Sequence, residues 1–324
     1  MKKTALIFMA LALVLAACSP HIHLDFLGQD RIEEITLLES RAKDKILVLD
    51  VEGILSAAGG QGPLAREGNV ISRVYSRLEK AAQDPDVKGV ILRLDTPGGE
   101  VAASDILYHE VLRFKQRSRR PVLGLMMSTT ASGGYYIASA CDYLIAHPLT
   151  VTGSIGVISV FPDMASLLDK IGVGVNVVKS GRMKDAGSPF RSMDEAEKKI
   201  FQEMIDDYYE GFLDVVAKGR RDAIPRETLR QIADGRIYTA KQALELRLID
   251  EIGYFDSAYE KTLAMAGLRE ARVVAYSYYP KTQTNLYAAA RKEGISFESG
   301  RLENLLPSLK SGFYYLWLPG SEKE

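Results

Sequence analysis

Cysteine is nearly missing from this chain, with two in 324 residues. That count excludes a disulfide framework. Only four histidines are present, and no Cys/His group has the spacing of metal ligands. His21 and His23 are two apart in sequence, but nothing nearby completes a site, so they read as part of a solvated tether. A surplus of either charge is missing too: 41 lysines and arginines stand against 42 aspartates and glutamates, for a net charge of -1. Without a basic stripe there is no electrostatic case for nucleic acid. The fingerprint G-x-G-x-x-G is absent, which removes the dinucleotide-binding reading, and no other cofactor is expected. The elbow G-x-S-x-G is absent as well, which counts against an α/β-hydrolase. No internal repeat is visible.

What is present starts with an ordinary globular balance, 47% hydrophobic and 26% charged, enough to bury a large core. The first residues depart from it. Met1-Lys2-Lys3 is charged, Ala5 to Val14 is apolar, and Leu15-Ala16-Ala17-Cys18 follows. The apolar run is too short to span a bilayer as a helix, so it reads as the core of a signal peptide. Its ending resembles the bacterial lipoprotein signal, which implies cleavage before Cys18 and lipid on its sulfur. The mature protein is then expected outside the cytoplasm, held to a membrane. Ser19 in place of an aspartate leans to the outer membrane of a Gram-negative cell. The expected division is a signal peptide over 1–17, a tether over 18–44, one principal domain over 45–276 and a tail over 277–324.

Within that domain, apolar runs of strand length alternate with helical patterns. Lys45 to Val51, Val87 to Leu94 and Pro121 to Met127 read as strands, as do Tyr143 to Ala146, Ser154 to Val160, Gly174 to Val178 and Arg272 to Tyr276. Ile32 to Leu38 could add an edge strand. Gly53 to Gly68 reads as a flexible loop. Helices are expected over Val70 to Ala82, with Asn69 as N-cap, and over Ser104 to Phe114, Ser132 to Ala140 and Met164 to Lys170. A capping box at Ser192-Met193-Asp194-Glu195 should open a long helix. Its stripe of Ile200, Met204, Tyr208, Phe212 and Val215 belongs to a core or a subunit interface. Tyr238 to Gly253 and Asp256 to Ala266 read as two further helices. The alternation implies crossover units and a largely parallel sheet. Phe313, Tyr314, Tyr315, Leu316, Trp317 and Leu318 are too apolar for a free end. They are expected to dock on the domain of the same or a neighbouring subunit, or at a lipid interface.

Two segments carry candidate chemistry. Ser132, in Ala131-Ser132-Gly133-Gly134-Tyr135, sits at a helix start where backbone N–H groups are free. Lys184, in Lys184-Asp185-Ala186-Gly187-Ser188-Pro189, follows an apolar segment. A serine needs a base to become a nucleophile, and a neutral lysine can be one. A free lysine has a pKa near 10.4, and burial can lower it by about 3–5 units. Asp185 would oppose that shift if it paired with the amine, so its carboxylate is expected to turn away, to a backbone N–H. Pro97-Gly98-Gly99 after a strand lets backbone approach a ligand closely and present an N–H to an oxyanion.

In order, Leu94-Asp95-Thr96-Pro97-Gly98-Gly99, Ala131 to Ala138, Thr152-Gly153-Ser154-Ile155-Gly156-Val157 and Lys184 to Pro189 resemble the signal peptide peptidase A (protease IV) family. These are Ser–Lys peptidases of ClpP/crotonase-like α/β fold, built of repeated ββα units on a largely parallel sheet. The resemblance runs from about Lys45 to Gly267, and the Ser132–Lys184 spacing suits the family's short form. It implies Ser132 as nucleophile and Lys184 as general base. Gly99 and the N–H of Gly133 become oxyanion donors, and Ser154 a partner that orients the lysine. It further implies hydrophobic peptides and released signal peptides as substrates, and a homo-oligomeric ring with sites near subunit boundaries. Three rival readings differ in what they require. A Ser-His-Asp site would use His147 with Asp142 or Asp163; a non-catalytic peptide-binding scaffold would use neither dyad residue; a crotonase-like acyl-CoA enzyme would need CoA outside the cytoplasm.

Overall fold

The computed structural model describes residues 32–58, 69–220, 224–277 and 313–317. Cys18, His21, His23, most of the Gly53–Gly68 loop and Leu318 lie outside them. The strands are β1 (Glu33–Leu38), β2 (Lys45–Glu52), β3 (Val87–Thr96), β4 (Gly98–Glu100), β5 (Val122–Ala131), β6 (Tyr143–Ala146), β7 (Val151–Gly153), β8 (Ile158–Ser159), β9 (Ile237–Thr239), β10 (Glu251–Ile252), β11 (Arg272–Ser277) and β12 (Phe313–Leu316). Among the described residues, one sheet of nine strands runs β1-β11-β2-β3-β5-β6-β10, with β7 on the far end of β5 and β9 on β7. A second sheet of three strands runs β4-β12-β8. All pairings in the large sheet are parallel except β1 with β11 and β7 with β9.

The continuous apolar runs of β2, β3 and β5 exist because both faces of this sheet are covered. Leu47, Leu49, Val90, Leu92 and Met126 enter one core. Their alternates Ile46, Val48, Ile91, Leu123 and Leu125 enter a second core, where Phe255 and Ala258 of helix Phe255–Ala266 cover them. The first core is closed by helices Val70–Gln83 and Val101–Ser118 and by the C-terminal half of Glu195–Gly219. Asn69 caps the first of these by accepting from the Ser72 N–H, and Asp84 ends it. Cys141 is buried in the same core. Among the described residues no helix is long and apolar enough to cross a membrane.

Several local expectations shift. Gly174 to Val178 forms no strand; its valines alternate like one but find no partner edge, and Val178 is fully exposed. The strand expected over Ser154 to Val160 shrinks to β8, and β7 lies before it: Ser154 has φ 49, a left-handed conformation that ends the extension of β7. The capping box lies two residues later than expected: Asp194 accepts from the Glu197 N–H, and Glu197 returns the bond to Asp194. Tyr238 belongs to β9 rather than to a helix, and Thr239 and Gln242 form a second box for the short helix Ala240–Glu245. The helix after Ser132 is shorter, Gly133–Ala138.

Candidate active site

Two strand ends build the Ser132 side. Parallel pairing of β5 with β7 sets Ala131 opposite Gly153, so the next residues, Ser132 and Ser154, leave the sheet side by side. The Ser132 N–H donates to the Gly153 carbonyl at 2.8 Å, and the Ser154 N–H to the Arg236 carbonyl at 2.7 Å. Both serines are buried. Ser132 has φ 52 and ψ -117 and caps helix Gly133–Ala138 without a side-chain cap bond. For a non-glycine residue this backbone is strained, and strain of this kind gathers at functional sites. It is held by neighbours that leave little freedom. Tyr135 buries its ring and donates its hydroxyl to the Leu248 carbonyl at 2.6 Å, while Thr152 Oγ1 donates to the Thr130 carbonyl at 2.6 Å.

The Gly99 side comes from the end of β3. Thr96 Oγ1 accepts from the Gly98 N–H and donates to the Gly53 carbonyl, which fixes the Pro97-Gly98 turn. Gly98 O accepts from the Leu55 N–H, and the Glu100 N–H donates to the Leu55 carbonyl. Since those two groups face Leu55, the N–H and carbonyl of Gly99 between them face the other way, into the cleft. Gly133 packs against this turn: a Cβ there would overlap Ser104 Oγ and come 3.2 Å from Gly98 Cα. Ser132, Ser154, Gly99 and Gly133 are therefore brought together.

Lys184 is not brought to them within this chain. It lies on a 3-10 turn, Arg182–Asp185, and is exposed. Among the described residues no hydrogen bond joins it to Ser132 or Ser154. The turn itself is well held. Asp185 turns its carboxylate away from the lysine, though to cations rather than to the backbone N–H expected: Arg191 Nη2 donates at 2.8 Å and Lys179 Nζ at 2.5 Å. Arg191 also pairs with the buried Glu197. These bonds, Arg191 foremost, hold Asp185 well below the usual carboxylate range and Glu197 down at about 2. Sequence reasoning missed this clamp, whose only trace is Arg191 standing six residues from each acid. The whole segment carries exposed apolar side chains, among them Val160, Leu167, Ile171, Val175, Val177 and Phe190.

His147 has other partners. Its Nδ1 accepts from the Leu149 N–H, and its ring edge meets Tyr254. Asp142 serves the Val122 N–H and Lys115, and Asp163 serves Ser192 and the Ala165 N–H. The Ser-His-Asp rival thus has no carboxylate orienting its histidine among these bonds. No group of His, Cys, Asp and Glu that could hold a metal occurs among the described residues.

Comparison with known proteins gives the family. Residues 114–269 match the model of peptidase family S49. A protein of Enterococcus faecium provisionally named signal peptide peptidase SppA is 37% identical over 251 residues, 78% of this chain and 72% of that protein. Protease 4 of Haemophilus influenzae is 34% identical over 252 residues, 77% of this chain but 39% of the relative. The chloroplastic serine protease SPPA of Arabidopsis thaliana is 30% identical over 232 residues, 71% of this chain and 33% of the relative. Fold and relatives define a serine peptidase on a ClpP/crotonase-like α/β scaffold. The chain belongs to peptidase family S49, in its signal peptide peptidase A (protease 4) branch.

Proposed function

We propose that this chain is a lipid-anchored, extracytoplasmic endopeptidase that cuts hydrophobic peptides, including signal peptides already released from their preproteins. Ser132 is the nucleophile and Lys184 the general base. The observation that carries the reading is the strained backbone of Ser132, set beside Ser154 and against the Gly99 and Gly133 N–H groups. Ser132 Oγ attacks the peptide carbonyl, and the two N–H groups receive the charge that develops on its oxygen. Lys184 takes the serine proton and hands it to the leaving amine; water then hydrolyses the acyl-enzyme with the lysine as base again. Ser154 orients the lysine amine.

The exposed apolar side chains from Ile158 to Ile200 support assembly into a homo-oligomeric ring, because a face of that size is seldom left to water. In that assembly a neighbouring subunit covers the lysine segment and removes water around Lys184, and a site draws Ser132 and Lys184 from the same or adjoining chains. The peptide substrate is supported by the name of the Enterococcus faecium relative, and the anchor by Leu15-Ala16-Ala17-Cys18. No cofactor or metal enters the scheme.

A fluorophosphonate probe on the purified protein tests the centre. Label on Ser132 that disappears in Ser132→Ala supports it, and an unlabelled wild type would favour the non-catalytic scaffold. Labelling with a palmitate analogue should be lost in Cys18→Ser; wild type that takes up none would remove the anchor.

A further inference from the structure

The proposed base has a carboxylate as its next residue, and an arginine holds that carboxylate. Arg191 donates from Nε to Asp185 Oδ2 at 3.1 Å and from Nη2 to Asp185 Oδ1 at 2.8 Å, a two-pronged fork. Its Nη2 also reaches the Asp185 backbone carbonyl at 3.1 Å. Lys179 Nζ brings a second cation to Asp185 Oδ1. Toward the long helix, Arg191 donates from Nη1 to Glu197 Oε2 at 2.9 Å and from Nη2 to Glu197 Oε1. The Glu197 side chain is 1% exposed and closes the capping box of helix Glu195–Gly219. The guanidinium is therefore tied to the fixed end of that helix.

The turn that carries the lysine is moored as well. The Asp185 carbonyl accepts from the Ser188 N–H at 3.0 Å, and the Pro189 carbonyl from the Met164 N–H at 2.8 Å. Between them Gly187 has φ +74, and a Cβ there would overlap the Phe161 ring, which packs on Phe201 with centroids 4.3 Å apart. Other charged groups near the turn pair elsewhere: Arg182 with Asp194 at 3.4 Å, Asp163 with Ser192, and Lys198 with Glu195. Asp185, Glu197, Arg191 and Lys179 thus form a bonded set of two acids and two cations beside Lys184, with no net charge.

We propose that Arg191 is a positioning residue for the general base: it pins the Asp185 carboxylate against the helix N-terminus and withholds from Lys184 the counter-ion that stands next to it in sequence. A lysine carries its amine on a flexible four-carbon stem, long enough to meet a free carboxylate one residue away. An opposite charge at that range keeps the proton on the amine, whereas a base must give up its proton before it can take one. The inference rests on the reading of Lys184 as the base of a peptidase.

Charge balance and mere support predict different signs. Arg191→Met leaves the set with one negative charge in excess, Asp185→Asn leaves one positive charge in excess, and the double variant restores the balance. Two pH dependences are measured on the purified full-length protein. One is kcat/KM for an apolar fluorogenic peptide. The other is the rate at which the Lys184 amine reacts with fluorodinitrobenzene, read by mass spectrometry of the peptide that carries it. Only an uncharged amine reacts, so the second readout needs no peptidase activity. Arg191→Met should move both midpoints up by about one pH unit, with kcat/KM about tenfold lower on the acid limb. Asp185→Asn should move them down, and the double variant should return close to the parent. A merely structural clamp would move both single variants the same way, or neither, with no recovery in the double; either result overturns the proposal. Should Arg191→Met not fold, Asp185→Asn decides alone: a downward shift supports the proposal, and an upward or absent one overturns it. If the amine midpoints shift as stated while wild type cuts no peptide, the peptidase reading fails and the hold on the lysine's neighbour stands.

Discussion

The Ser132 side of the cleft and the Lys184 segment are made differently. Ser132 and Ser154 are buried at the ends of sheet strands, each held by a backbone bond that long-range pairing dictates, and Gly133 is buried just after Ser132. Lys184 rides on a stretch with two short elements, Ala165–Lys170 and Arg182–Asp185, and few buried side chains. One chain suffices to fix the backbone that carries Ser132. The lysine segment is fixed locally, through Arg191, but displays the apolar surface of something meant to be covered. Strain is tolerated on the first side because the sheet over-determines it, whereas the second side, in the proposed assembly, takes its final environment from a neighbouring subunit.

The sharpest way to break that contrast is at the two residues themselves. Ser132→Ala and Lys184→Arg should each cut kcat/KM by at least about a thousandfold, the arginine because guanidinium stays protonated. His147→Ala should stay within a few-fold. A working Lys184→Arg enzyme would transfer the base to another residue. Next comes the covering of the segment. Ile171→Asp with Val175→Asp should lower the sedimenting mass and cost about tenfold or more in activity, because a charge in a desolvated interface is strongly disfavoured. Unaltered mass and activity would make this face an ordinary solvated one.

On the nucleophile side, Gly133→Ala should lose about a hundredfold in kcat by displacing an oxyanion donor and destabilise by about 1–3 kcal/mol through overlap with Ser104. Pairing it with Ser104→Gly should restore the melting temperature more than the activity. The smallest effect belongs to the clamp. Glu197 is held near 2 against an ordinary 4.5, so its ion pair stabilises the fold fully above about pH 4.5, and that contribution fades as the pH falls through about 2. Arg191→Ala should flatten the melting temperature profile across this window, and Arg191→Lys should do so in part, lacking the two-pronged fork. An unchanged profile would mean that the clamp is solvated in solution.

What was legible in the sequence follows this division. The strands at Lys45, Val87 and Pro121 stood out because burial on both faces leaves uninterrupted apolar runs, and Asn69 announced its helix through its own cap. Pro97-Gly98-Gly99 was legible because close backbone approach restricts residue choice, and Ser132 because small residues surround it at a helix start; Ser154 came only with the family resemblance, since nothing around it in sequence marks its left-handed backbone. Val175 to Val178 misled because alternation records a buried face without saying which chain buries it. Tyr238 misled because three residues of strand run directly into a capped helix. The pairing of Tyr315 with Gly99 has no local signature, since it joins positions more than two hundred residues apart. The apolar excess from Phe313 to Leu318 told only that something would cover it.

Cys141 has a consequence of another kind. Its thiol is buried beneath the sheet and burial pushes it up to about 12, so almost none of it is thiolate at neutral pH. Disulfide exchange and oxidation both begin from the thiolate. The folded domain is therefore redox-silent: it can sit in an oxidising compartment with an odd sulfhydryl, neither cross-linking to its neighbours nor needing a reductant to remain intact.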